Sequence, residues 1–249
     1  MHETLYHLVD MQDLLLRDDL FDCVLFDLDN TLVDFISAKR QACTAVIDYL
    51  GHGNSDELFS YFLRMRHGFE DYGNIFDYLS DLGINGSDAY LRSCTIYEEV
   101  KLNHIRPYQG MKEALTVLRS EGLRLGVVTD ADSDHAGKRL KKANLFNFFD
   151  IVMTPDMSGS KKPNPNSFLM ALDFLRADPM HAICVGDSIR RDIEPAKRLG
   201  MCTIHAAYGD WHPKETKENP IRTLRINRPK DLIRLILGKK LDDFRGDNL

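Results

Sequence analysis

Five short apolar runs punctuate the chain: Cys23–Phe26, Leu125–Val128, Ile151–Met153, Ala182–Val185 and Cys202–Ala206. Runs of this length that are apolar throughout, rather than alternating, read as strands buried on both faces, the pattern of a parallel sheet. Between them the apolar spacing turns helical. Met111, Ala114, Leu115 and Leu118 form a stripe that begins after Gly110 and stops at Gly122. Phe168, Leu169, Ala171, Leu172 and Leu175 form a second stripe, and Ile193, Ala196 and Leu199, closed by Gly200, a third. Leu232, Ile233, Leu235 and Ile236, closed by Gly238, form the last. Alternating strands and helices predict an α/β fold, a doubly wound parallel sheet.

The alternation fails once. From about Asp34 to Ile105 there is no strand pattern, only amphipathic helical stretches near 36–50, 56–66, 73–82 and 87–103. A parallel crossover needs about a dozen residues, and this segment is several times longer. The expectation is a small all-helical cap domain, residues 34–105, inserted into an α/β core built from residues 1–33 and 106–249. Residues 1–20 read as an extra amphipathic helix, and the charged residues from about Lys239 as a frayed tail.

Composition narrows the partners. The 249 residues are 43% hydrophobic and 28% charged, with a net charge of −6, so no nucleic-acid partner is expected. A basic stretch from Arg222 to Lys240 is interrupted by Asp231 and reads as a solvated helix face. No window approaches the ~18 apolar residues of a membrane span. The first residues are acidic, unlike a secretory leader, so no membrane contact is expected either. Cys23, Cys43, Cys94, Cys184 and Cys202 are scattered and form no CxxC pair, which suits free thiols in a reducing cytoplasm.

The chemistry should sit where doubly wound sheets bind ligands, beyond the carboxyl ends of the strands. There the chain places Asp27, Asp29, Asn30 and Thr31 after the first run, Thr129 and Asp130 after the second, Lys161-Lys162-Pro163 before the fourth, and Gly186-Asp187-Ser188 after it, with Asp192 four residues past Ser188. Carboxylates gathered this closely repel one another and either stay protonated or bind metal. Oxygen ligands of this type suit Mg2+. A metal and a lysine could together neutralise a phosphoryl group beside an aspartate nucleophile, giving an aspartyl-phosphate.

The segments VLFDLDNTLVD (24–34), VVTD (127–130), KKPNP (161–165) and VGDSIRRDI (185–193) occur in an order that resembles the haloacid dehalogenase-like hydrolase superfamily. The likeness is to its phosphatase branch with a helical cap inserted after the first motif. It implies Asp27 as nucleophile and Asp29 as the general acid that later activates water. It implies Thr129 as a donor to the phosphoryl oxygens, with Asn30 and Asp130 also on the substrate side. Lys162, chosen over Lys161 because it directly precedes Pro163, would neutralise charge between Asp27 and the phosphate. Mg2+ would be held by Asp27, Asp187 and the backbone carbonyl of Asp29, and Asp192 would support the metal shell or the lysine. At position 130 the family often has Asn. The implied activity is Mg2+-dependent hydrolysis of small phosphate monoesters.

Two other chemistries use the same fold. A haloacid dehalogenase lacks an acid at the position of Asp29, because halide leaves without protonation. A phosphosugar mutase needs the same core and remains open. Because the insertion leaves the core just after Asp29, it is expected to close as a lid, which favours a small phosphorylated metabolite as substrate. Phe35, Arg64, Arg66, His67, Tyr72, Asn74 and Tyr78 are the insertion's candidates for substrate contact, although most of its apolar residues should form its own core.

Overall fold

The computed structural model describes residues 21–64, 66–211 and 223–238. The helix expected at 1–20, the tail from Lys239 and most of the loop after residue 211 lie outside them.

Six strands form one wholly parallel sheet: β1 (Cys23–Phe26), β2 (Arg124–Val128), β3 (Ile151–Met153), β4 (Ala182–Gly186), β5 (Cys202–Ala206) and β6 (Leu224–Ile226), in the spatial order β3-β2-β1-β4-β5-β6. Every residue of β1 and β4 is buried, which is why these segments are apolar without alternation: both faces are covered. The chain runs outward from β1 to β2 and β3, then returns to the other side of β1 with β4. That reversal is the switch point at which such sheets open a crevice. Register sets the candidate residues side by side. Phe26 aligns with Val127 on one flank and Val185 on the other, so Asp27, Thr129 and Asp187 all emerge from the same edge.

The helices are α1 (Phe35–Leu50), α2 (Ser55–Leu63), α3 (Gly73–Asp81), α4 (Ser87–Asn103), α5 (Met111–Ser120), α6 (Ser133–Lys142), α7 (Pro155–Ser158), α8 (Asn166–Leu175), α9 (Glu194–Arg198) and α10 (Asp231–Leu237). Three features differ from the sequence expectation. Strand β6 has only Leu224 and Ile226 as apolar residues, too few to register as a run. Helix α6 reads as polar because it buries chiefly Ala136, Arg139 and Leu140. The stripe at Ile193, Ala196 and Leu199 belongs to two pieces, a π-helical turn at Ile189–Ile193 and then α9.

The described chain forms two compact units. One holds the sheet and comprises the residues up to Leu32, Pro107–Gly137 and Leu145 onward; the other comprises Val33–Arg106 together with Lys138–Asn144. The second unit has its own core, in which Ala42, Val46, Leu58, Phe62, Leu79 and Tyr97 pack together. Phe62 stacks on Tyr97 with ring centroids 5.1 Å apart. It also buries three cations. Lys101 reaches Glu98 at 2.7 Å and Glu70 at 3.3 Å, and Arg139 pairs with Glu70 as well. Lys39, fully buried, donates to the Phe69 carbonyl and lies 3.7 Å and 4.1 Å from the ring centroids of Phe69 and Phe62. Burial brings its pKa down to about 7.

The residues proposed for substrate contact are largely engaged within this unit. Arg64, Arg66 and His67 converge on Asp77 at 3.5, 3.1 and 3.2 Å. The Tyr72 hydroxyl donates to Glu98 at 2.9 Å, and that of Tyr78 to the Asn54 carbonyl at 3.2 Å. Phe35 and Asn74 are buried. No helix among the described residues is long and apolar enough to cross a membrane.

Candidate active site

The chain leaves β1 with the Asp27 N–H still bonded to the Val185 carbonyl at 2.9 Å. It then turns sharply: Asn30 has φ 64°, a left-handed conformation that Asn tolerates better than most residues. This turn holds Asp27 at the floor of the edge, 7% exposed, with Asp29 half-buried beside it. The Thr31 hydroxyl lies 3.4 Å from Asp27 Oδ2.

Lys162 reaches the same carboxylate from the loop before α8. Its Nζ donates to Asp27 Oδ1 at 2.6 Å, to Asp192 Oδ1 at 2.6 Å and to the Val128 carbonyl at 3.0 Å. All three ammonium protons are thereby engaged. Burial opposes the charge, but Asp192, Asp27 and Asp130 outweigh it and hold the lysine well above its ordinary pKa. Lys161, its neighbour, is exposed.

Asp192 owes its position to Gly186. A Cβ on Gly186 would stand 2.4 Å from Asp192 Cβ and 2.5 Å from its Cγ, so glycine is the residue that leaves room for the carboxylate. From there Asp192 uses both oxygens, Oδ1 for Lys162 and Oδ2 for the Ser188 N–H at 3.0 Å. Its geometry is that of a residue positioning the lysine.

Asp187 differs. Its Oδ1 is buried and accepts no hydrogen bond among the described residues. One carboxylate oxygen each of Asp27, Asp187 and Asp192 lies within 4.8 Å of the others. Burial, then the charges of Asp27 and Asp192, push the Asp187 carboxyl well above the ordinary carboxylate range. A buried acceptor with no donor, beside a second carboxylate, fits an oxygen-preferring dication. Asp27 and Asp187 could hold one, while both oxygens of Asp192 already accept short hydrogen bonds.

Thr129 and Asp130 follow β2. Thr129 Oγ1 accepts the Ala131 N–H at 3.2 Å, which leaves its own proton to donate elsewhere. Asp130 Oδ1 accepts the Lys162 backbone N–H at 2.8 Å, and its Oδ2 faces Arg191 at 3.7 Å.

Three residues at this edge escaped sequence reasoning. The buried His205 on β5 donates from Nε2 to the Asp187 carbonyl at 2.9 Å. The Tyr208 hydroxyl donates to the Thr31 carbonyl at 2.8 Å. A Cβ on Gly209 would fall 1.5 Å from the Asn30 carbonyl oxygen, so this loop needs glycine to press against the Asp27–Thr31 turn. None of the three lies in a motif, and His205 and Tyr208 read as ordinary strand and loop residues.

Known proteins resemble this chain over most of its length. A family model described as haloacid dehalogenase-like hydrolase matches residues 24–206. A glyceraldehyde 3-phosphate phosphatase of Pyrococcus abyssi is 29% identical over 220 residues, covering 86% of this chain and 92% of that protein. A phosphoglycolate phosphatase of Aquifex aeolicus is 31% identical over 229 residues, covering 86% and 95%. The crystal structure of a HAD phosphatase from Thermococcus onnurineus superimposes with a TM-score of 0.60 at 25% identity, over 88% of this chain and 99% of that one.

Proposed function

The chain belongs to the haloacid dehalogenase-like hydrolases, as a phosphoric monoester hydrolase of small phosphate esters, and we propose that Asp27 is its nucleophile and Mg2+ its cofactor. The observation that carries this reading is the clamp on Lys162: one buried ammonium held at 2.6 Å by both Asp27 and Asp192, beside the unpartnered oxygen of Asp187.

Asp27 attacks phosphorus and the ester oxygen leaves, forming an aspartyl-phosphate. Lys162, already bonded to Asp27, offsets the charge of the incoming phosphoryl group. Asp29 gives its proton to the leaving oxygen, then takes one from the water that opens the acyl phosphate. Thr129, its lone pair taken by the Ala131 N–H, donates its proton to a phosphoryl oxygen. Asp27, Asp187 and the Asp29 carbonyl would hold Mg2+, which supplies positive charge to the phosphoryl oxygens.

The substrate, on this reading, is a small phosphorylated metabolite of the size named for the relatives, used in the cytoplasm. The division into a core of residues 1–33 and 106–249 and an inserted helical domain of 34–105 belongs to the same proposal. Purified protein assayed against phosphorylated metabolites, p-nitrophenyl phosphate and phosphopeptides tests it. We expect hydrolysis with Mg2+ and none in excess chelator, with kcat/KM at least about tenfold higher for the best metabolite than for any phosphopeptide. Full activity after metal is stripped would overturn the cofactor, and better turnover of phosphopeptides would overturn the substrate class.

A further inference from the structure

Lys162 has no donor left for substrate. Arg191 has all of its side-chain donors. Its backbone N–H goes to Ser188 Oγ at 3.3 Å. Its guanidinium comes nearest to Asp130 Oδ2, at 3.7 Å, beyond hydrogen-bonding reach, and donates no hydrogen bond among the described residues. The side chain is 35% exposed, and its charge is felt by Asp192, Asp27, Asp187 and Asp130 together. A guanidinium that faces these carboxylates, partly open to solvent and with its donors unused, is a ready donor to an oxyanion.

Asp130 supports the same conclusion. Its bond to the Lys162 N–H uses Oδ1, and an Asn at this position could make that bond with its amide oxygen. What Asp adds is a second, charged oxygen, and that oxygen faces Arg191. The carboxylate therefore matches the arginine and holds it at the edge without consuming its hydrogen bonds. The π-helical turn at Ile189–Ile193 allows both arrangements, since Asp192 goes to Lys162 while its neighbour Arg191 faces Asp130.

We propose that Arg191, held in place by Asp130, binds a carboxylate carried by the substrate alongside its phosphoryl group, so that the enzyme prefers phosphorylated carboxylic acids to neutral phosphate esters. One guanidinium balances one carboxylate, and its planar fork matches that group. A second phosphoryl group would bring more negative charge to an edge already rich in it. This inference rests on the phosphatase reading above.

Phosphoglycolate and ethyl phosphate, which differ in a carboxylate against a methyl group, provide the test. Both are assayed with Mg2+ on the intact protein, its Arg191→Gln, Arg191→Lys and Asp130→Asn variants, and the ratio of the two kcat/KM values is read. We expect the unsubstituted enzyme to favour phosphoglycolate at least about tenfold, the scale of one charge-assisted contact. Arg191→Gln should bring the ratio close to unity, chiefly through the KM for phosphoglycolate. Arg191→Lys should restore part of it, and Asp130→Asn should lower it without abolishing it. An unsubstituted enzyme that treats the two esters alike overturns the proposal. So does an Arg191→Gln variant that loses both activities in proportion, because a merely structural role would leave the ratio unmoved. If neither ester is hydrolysed while p-nitrophenyl phosphate is, the carboxylate proposal alone falls. If nothing is hydrolysed, the phosphatase reading falls with it.

Discussion

Asp27, the proposed nucleophile, sits in a 7% exposed position at the edge of the sheet. The Lys162 ammonium donates to it at 2.6 Å. Asp27→Asn keeps the shape and an oxygen for Lys162 but removes the proposed nucleophile. We expect turnover to fall thousands-fold or more, with the circular-dichroism spectrum unchanged. A variant that kept a tenth of the rate would exclude Asp27 from the attacking role. Most of these residues were legible in the sequence because the motifs place them at strand ends. The placement of Arg191 was not, because it depends on a π-helical turn and on a carboxylate sixty-one positions away, at Asp130.

At the scale of elements, the helical unit carries a pH dependence of its own. Lys39 has a pKa of about 7 when folded, against 10.5 for the ordinary side chain. Between those values the unfolded chain holds a proton that the folded lysine has shed, so raising the pH favours folding. Stability should rise by about 1–2 kcal/mol from pH 7 to pH 8.5. The window closes there. Cys23, Cys43 and Cys202, pushed up to about 11, 12 and 11 from 9.0, keep their protons longer when folded and reverse the slope at higher pH. Urea titrations at the two pH values measure the rise, and Lys39→Met should flatten it. An equal slope in both proteins would remove Lys39 as its source. The sequence could not announce this cluster, since Lys39 and Arg139 lie one hundred positions apart on helices whose polar residues look solvated. Strands β1 and β4 were legible for the opposite reason: burial on both faces leaves an unbroken apolar run, whereas β6, with a partly exposed Leu224 and an exposed Arg225, leaves none.

For the whole molecule, net charge −6 combines with a cluster of buried aspartates, so a bound dication should stabilise the fold as well as serve the reaction. At a hundredfold excess over Kd, binding contributes about 2.7 kcal/mol, which for a chain of this size raises Tm by several degrees. Melting curves in Mg2+ and in chelator at matched ionic strength give the value. Asp187→Asn should erase the difference, and a shift that survives in that variant would place the ion elsewhere. The site also has a history within each molecule. Lys162 meets Asp27 across 135 positions of chain, and Tyr208 meets Thr31 across 177. No fragment that stops short of β4 contains Asp187 or Asp192, so a nascent chain has nothing resembling an active centre until four of its six strands have emerged. Recovery of activity during refolding therefore reports the long-range pairing of β4 with β1, and should lag behind the helical signal rather than rise with it.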